Sequence, residues 1–139
     1  MSVRVYYEDT DCGDVVYYAN YLRYMERGRT EFLRDAGISL SAYREKGLLF
    51  VVVEANVKYR QPARYDDLLT VVTSLKETGA ATMVFYTEIC RGDTVLVCGD
   101  VKVACVKASN GMPGRIPAEL IEAVGCGEGV VLLKPAPMT

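Results

Sequence analysis

The sequence predicts an α+β fold in which one long amphipathic helix is wrapped by an antiparallel sheet of about five strands. Three observations predict it. From about Ala19 to Ala36 apolar residues recur every three or four positions. Four later stretches are strand-like, and the turns between them are short enough for antiparallel hairpins. The 139 residues, half of them hydrophobic, suit one domain with a sizeable core. No internal repeat or composition break divides the chain, so 1–139 is read as a single domain.

Val3 to Glu8 reads as a short strand. In the helix, Tyr18, Leu22, Met25, Gly28, Phe32 and Ala36 form the apolar stripe, and Arg23, Glu26, Arg27, Thr30, Glu31, Arg34 and Asp35 lie mostly off it. Gly37 follows the last turn as a natural terminator. A mid-helix glycine costs ~1 kcal/mol relative to alanine, so Gly28 on the stripe implies that a sheet packs very close there. Ser41 to Lys46 predicts a short helix ended by Gly47. In the strand Leu49–Arg60, Val51, Val53, Ala55, Val57 and Tyr59 face one way and Glu54, Asn56, Lys58 and Arg60 the other, and Pro62 ends it. Leu68–Lys76, Ala81–Arg91 and Thr94–Lys107 follow, joined by turns at Thr78-Gly79 and Arg91-Gly92-Asp93. Asn110-Gly111 and Pro113-Gly114 break the pattern, and Pro117–Val124 predicts one or two helical turns. From Gly125 the chain is read as a mobile tail or an added edge strand. Wrapping the sheet around the helix buries both apolar faces but leaves an open sheet edge. Pairing edge to edge with a second copy protects it, so a homodimer is expected.

Composition narrows the chemistry. The net charge is −2 with no basic stripe, which argues against nucleic acid as a partner. No apolar run approaches the ~20 residues of a membrane span. The start, Met-Ser-Val-Arg-Val-Tyr-Tyr, has no apolar segment or cleavage site of a secretory signal. The cysteines are Cys12, Cys90, Cys98, Cys105 and Cys126; their number is odd and no Cys-x-x-Cys occurs, which fits buried free thiols in a reducing cytoplasm. The chain has no histidine. Ser-His-Asp and Cys-His catalysis and the common histidine zinc sites are therefore removed. Chemistry must rest on carboxylates, backbone amides, Tyr, Lys, Cys or a cofactor.

The stretch Tyr7-Glu-Asp-Thr-Asp-Cys-Gly-Asp-Val-Val-Tyr-Tyr-Ala-Asn-Tyr21 places an acidic turn directly before the long helix. Asp9 and Asp11 either only stabilise that turn, or Asp11 attacks a carbonyl or activates a water to do so. Every helix begins with unsatisfied N–H groups at its electropositive end. Tyr18 is a poor cap, which leaves those donors free for a developing oxyanion unless Asn20 or Asp14 caps the helix.

Asp9-Thr-Asp11, Gly13, Val15-Val-Tyr17, Ala19-Asn-Tyr21, Glu26-Arg and Arg29 resemble the 4-hydroxybenzoyl-CoA thioesterase type of hotdog-fold protein, in particular the bacterial acyl-CoA thioesterases associated with the Tol–Pal system. Tyr59-Arg-Gln-Pro-Ala-Arg-Tyr-Asp-Asp-Leu68 is similar to that family's segment between its second and third strands. The resemblance runs from about Val3 to Val106. It implies a helix "sausage" in a sheet "bun", a homodimer or homotetramer, and hydrolysis of acyl-CoA thioesters without metal or cofactor. It implies that Asp11 is the catalytic carboxylate. It also implies that backbone N–H at the helix start binds the thioester carbonyl, with Tyr18 the first candidate and Tyr17 and Ala19 its neighbours.

Two departures stand out: Asp14 where many relatives have glycine, and Tyr18 where many of the Tol–Pal branch have histidine. CoA carries phosphates, so Lys58, Arg60 and Arg64 are candidate substrate contacts, or else an ordinary solvated edge. A helix glutamate is catalytic in another hotdog branch. Here Glu26 and Glu31 read as ion-pair partners of Arg23, Arg27, Arg29 or Arg34. Hotdog hydratases and dehydratases usually need histidine, which this chain lacks. The departures motivate the alternative of a non-catalytic binder of acyl-CoA or acyl carrier protein.

Overall fold

The computed structural model describes residues 1–11 and 13–125. The readings for Cys12, Cys126 and the tail lie outside the described residues. In chain order the elements are β1 (Ser2–Arg4), α1 (Tyr18–Asp35), α2 (Leu40–Glu45), β2 (Leu48–Tyr59), β3 (Leu68–Thr78), β4 (Thr82–Arg91), β5 (Thr94–Lys107) and α3 (Ala118–Gly125). The five strands form one antiparallel sheet in the order β1-β3-β4-β5-β2. Its inner face is built from alternate residues, as pleating requires: Leu69 and Val71 on β3, Met83, Phe85 and Ile89 on β4, Val97, Val101, Val103 and Cys105 on β5.

α1 lies on this face. A Cβ at Gly28 would stand 2.6 Å from Val71 Cγ1 and 3.0 Å from Thr73 Oγ1, so only glycine lets the helix lie this close to β3. The helix ends as the sequence predicts. Gly37 is left-handed at φ 84°. Its N–H donates to the Arg34 carbonyl and the Ile38 N–H to the Leu33 carbonyl, a Schellman closure. The result is the hotdog arrangement, a helix held in a curled sheet.

Three details differ from the sequence reading. A bulge at Val53 breaks the expected alternation of β2, so Phe50 and Val52, not Val51 and Val53, share the inner face with Ala55, Val57 and Tyr59. The first strand stops at Arg4, and Tyr7–Asp9 form a short 3₁₀ turn. The turn forms because the Asp9 carboxylate accepts the Tyr6 N–H at 2.9 Å and the Asp9 N–H donates to the Tyr6 carbonyl. The buried face of α1 is also rotated from the expected stripe. It consists of Asn20, Tyr21, Tyr24, Met25, Gly28, Arg29 and Leu33, while Tyr18 and Leu22 are exposed. Tyrosines stand on several sides of the helix, and only the tertiary packing selects which go inward.

The sheet edges are unequal. β1 has three residues, short enough to offer little pairing surface. β2 has twelve and exposes Val51, Val52 and Val53 at 39, 52 and 55 %. Cys90, Cys98 and Cys105 are buried thiols, and burial pushes the Cys105 thiol pKa up. Among the described residues no helix is long and apolar enough to cross a membrane.

Candidate active site

The acidic turn is tied to the helix start by backbone atoms. The Asp9 carbonyl accepts both the Tyr17 N–H (3.0 Å) and the Asn20 side-chain amide (2.9 Å). Short bridges pair Thr10 with Val16 and Val15 with Arg64, and the Val16 N–H donates to the Ala63 carbonyl. These bonds fix where Asp11 stands. Its Oδ1 accepts the Gly13 N–H at 3.0 Å, and its side chain is exposed. Asp9 is therefore spent on structure, whereas Asp11 is left facing solvent. Asp14 holds a left-handed backbone, φ 62°, which is the physical reason glycine suits this position.

α1 opens without a side-chain cap: Tyr17 occupies the cap position and supplies none. The Tyr17 N–H is already bonded to Asp9, and the Asn20 N–H to the Tyr17 carbonyl. Neither Asn20 nor Asp14 caps the helix. Among the described residues, the N–H groups of Tyr18 and Ala19 meet no acceptor, as expected for uncapped first-turn donors.

Beside this helix start lies a cleft of about 340 Å³, lined by Asp11, Val15, Val16, Tyr18, Tyr21, Tyr59, Arg60, Gln61 and Pro62. Its far wall is the end of β2 and the linker beyond it. The Tyr18 and Tyr59 rings stand 4.9 Å apart. The Arg60 and Gln61 N–H groups both donate to the Leu96 carbonyl. Tyr21 pins the linker to α1, its hydroxyl accepting the Ala63 N–H at 2.9 Å. Burial raises the Tyr21 pKa, so the hydroxyl stays protonated. Asp67 organises the rest of the linker: its Oδ2 accepts the Arg64 N–H and pairs with Arg91, each at 2.8 Å.

A thioesterase superfamily profile matches residues 13–98. The chain belongs to the thioesterase superfamily. A thioesterase cleaves a C–S bond with water, and Asp11 and Tyr18, the first residue of α1, border one cleft. The acyl-CoA thioesterase YbgC of Haemophilus influenzae is 43 % identical over 119 residues, covering 85 % of this thioesterase and 88 % of that protein. The acyl-CoA thioester hydrolase YbgC of Escherichia coli is 39 % identical, covering 86 and 90 %. A crystal structure of an Aquifex aeolicus protein superimposes with a TM-score of 0.83 at 34 % identity, covering 89 % of this chain and 97 % of that one.

Of the residues singled out from sequence, the thioesterase cleft brings together Asp11, Tyr18 and Arg60. Tyr17 and Ala19 flank Tyr18 in the chain without lining the cleft. Lys58 alternates away from Tyr59 to the opposite face of β2, and Arg64 sits in the linker bridged to Val15. Sequence reasoning missed Tyr59, Gln61, Pro62 and Tyr21 as lining residues. The signal was present for the first three, which fall in the second motif. Glu31 pairs with Arg34 on the helix surface. A larger cavity, about 490 Å³, lies toward the other end of α1 between Glu26, Thr30, Arg34, Arg44 and the start of β2. It shares no lining residue with the cleft at Asp11.

Proposed function

We propose that this thioesterase hydrolyses acyl-CoA thioesters to free acid and CoA, with Asp11 as the reacting carboxylate and helix-start amides, led by Tyr18, holding the carbonyl oxygen. The observation that carries this reading is that Asp11 and the uncapped start of α1 border one cleft. With Asp11 as base, it takes a proton from water while the water oxygen bonds to the thioester carbon. The carbonyl electrons move onto the oxygen and are held by N–H donors at the positive end of the helix. Collapse breaks the C–S bond, and the thiolate leaves and takes up a proton. With Asp11 as nucleophile, its oxygen bonds to the carbon first, the C–S bond breaks as the CoA thiolate leaves and takes up a proton, and water then cleaves the resulting anhydride to the free acid and the Asp11 carboxylate. Single-turnover hydrolysis in heavy-oxygen water, followed by mass analysis of the enzyme, separates the two routes.

Arg60 borders the cleft and is the candidate contact for CoA phosphate, whereas Lys58, on the opposite face of β2, and Arg64, in the linker, do not line it. The same cleft admits an acyl group delivered on acyl carrier protein, whose thioester is chemically equivalent. The functional unit is a homodimer or a pair of dimers, formed along the open β2 edge.

The test is thiol release from short, long and aromatic acyl-CoAs. Asp11→Asn is expected to lower kcat by about 10²–10⁴-fold. Equal rates remove Asp11 from the chemistry. Tight acyl-CoA binding with no turnover at any chain length makes the protein a binder instead.

A further inference from the structure

Tyr24 is 1 % exposed, and its hydroxyl is buried with it. It follows Asn20 by one helical turn on the same buried face of α1. Asn20 donates its side-chain amide to the Asp9 carbonyl at 2.9 Å. Long helix side chains lean back toward the helix N-terminus, so the Tyr24 phenol extends toward the turn that Asn20 holds. The Asp9 carboxylate acts on the phenol there. After burial it is the next cause that raises the Tyr24 pKa, with Arg27 pulling the other way. The two groups approach without completing a hydrogen bond. Asp9 Oδ2 accepts the Tyr6 N–H, which leaves Oδ1 for the phenol. The Tyr21 ring meets the Tyr24 ring edge-on, with centroids 6.3 Å apart. Tyr21 holds the linker wall of the cleft through the Ala63 N–H. Tyr24 stands in the corresponding place behind the acidic turn.

We propose that Tyr24 is a positioning residue for thioester hydrolysis: its hydroxyl backs the Asp9 carboxylate, seats the acidic turn on the start of α1 and so keeps Asp11 aimed at the cleft. The inference rests on the Asp11 reading above and adds what holds that carboxylate in place. Tyr24 does not line the cleft, so it acts through Asp9 and not on substrate. The relay is short. Asp9 gathers the Tyr6 N–H, the Tyr17 N–H and the Asn20 amide. Asp11 follows two residues later, its own N–H bonded to the Val15 carbonyl at 3.0 Å. A phenol that stays protonated beside a carboxylate is suited to a charge-assisted bond, stronger than a neutral one. Displacing a reacting group by about 1 Å can cost about 10²-fold in rate, so a modest slackening of Asp9 is felt at Asp11.

The test removes the hydroxyl and keeps the ring. Tyr24→Phe is expected to lower kcat for acyl-CoA hydrolysis about tenfold, with KM within about twofold of the unaltered chain. Amide hydrogen exchange should quicken at least about threefold at the Tyr6 and Tyr17 N–H groups, which bond to Asp9, and stay unchanged at Gly37 and Ile38 beyond the far end of α1. Asp9→Asn keeps an oxygen for the Tyr6 N–H but turns an amide NH₂, not an acceptor, toward the phenol. Added to it, Tyr24→Phe should cost less than about twofold more in kcat, because the two groups act as one unit. A Tyr24 that only fills the core shifts the urea midpoint and leaves kcat and the exchange at Tyr6 and Tyr17 as they were, and that result overturns the proposal. Fully additive losses in kcat, or exchange that quickens evenly along α1, overturn it too. If Asp9→Asn fails to fold by circular dichroism, the exchange pattern and kcat of Tyr24→Phe decide. Undiminished thiol release by Asp11→Asn defeats the catalytic reading instead, while exchange at Tyr6 and Tyr17 still reads the Tyr24–Asp9 contact by itself.

Discussion

The two sides of α1 obey different rules. One side, Tyr21, Tyr24, Met25, Gly28 and Leu33, closes on the sheet so tightly that Gly28 has no room for a methyl group. The other leaves Tyr18, Leu22 and Glu26 exposed, the first-turn amides uncapped, and a cleft and cavities beside β2. The closed side is specified by what it excludes, and the open side by what it leaves unsatisfied. One helix thus serves as both core and site. The division predicts that substitutions on the two sides fail differently.

The largest effect is expected on the open side. Asp11→Asn should cost its 10²–10⁴ in kcat, about 3–5 kcal/mol of transition-state stabilisation, with an unchanged urea midpoint. A matching loss of stability would mean that Asp11 belongs to the structural side with Asp9. Next is Gly28→Val on the closed side. Its Cβ alone would meet Val71 at 2.6 Å, and overpacking of this kind costs about 1–3 kcal/mol. Urea denaturation should show the drop; a neutral result would show that α1 lifts from β3 freely.

A pH effect of intermediate size comes from the contact that anchors α3. Tyr43 donates its hydroxyl to Glu119 at 2.8 Å. Burial first, and the carboxylate second, push the Tyr43 pKa up to about 12. The folded state therefore favours the protonated phenol. This contribution is complete below the ordinary tyrosine pKa of about 10 and is lost as pH rises toward the folded value. Glu119 is held low, chiefly by Tyr43, so its contribution is present above the ordinary glutamate range and fades as pH falls through the folded pKa. Tyr43→Phe should cost about 1 kcal/mol near neutrality and flatten the alkaline limb. An unchanged alkaline limb would remove Tyr43 from the pH dependence. Smallest is Asp14→Gly, expected to gain about 0.5–1 kcal/mol by relieving the left-handed backbone. A loss would show that the Asp14 side chain, not its backbone, matters at the turn.

The closed side was legible in outline. Gly37 and Gly47, both at positive φ, mark helix ends that any apolar periodicity would place within a residue or two. Gly28 announced the close approach before any strand was positioned. The rotation of the buried face was not legible, because Tyr18, Tyr21 and Tyr24 look alike to a hydropathy pattern and differ only in what lies opposite them. On the open side the acidic turn was legible as a motif. The wall facing it was legible only as a second motif, because folding contacts, among them the Tyr21 hydroxyl on the Ala63 N–H, decide that Tyr59, Gln61 and Pro62 reach the cleft. From sequence Arg29 reads only as one of several arginines within reach of a helix glutamate. Its burial, with no hydrogen bond or ion pair among the described residues, is a property of the packed chain.

The most direct test of the account is a crystal structure with a non-hydrolysable acyl-CoA analogue that keeps the carbonyl and replaces the scissile sulfur linkage. The account predicts the carbonyl oxygen about 3 Å from the Tyr18 N–H, the Asp11 carboxylate across the cleft from the carbonyl carbon, and CoA phosphate toward Arg60. An analogue bound instead in the larger cavity between Arg34 and Arg44, with the Tyr18 amide still free, would contradict it.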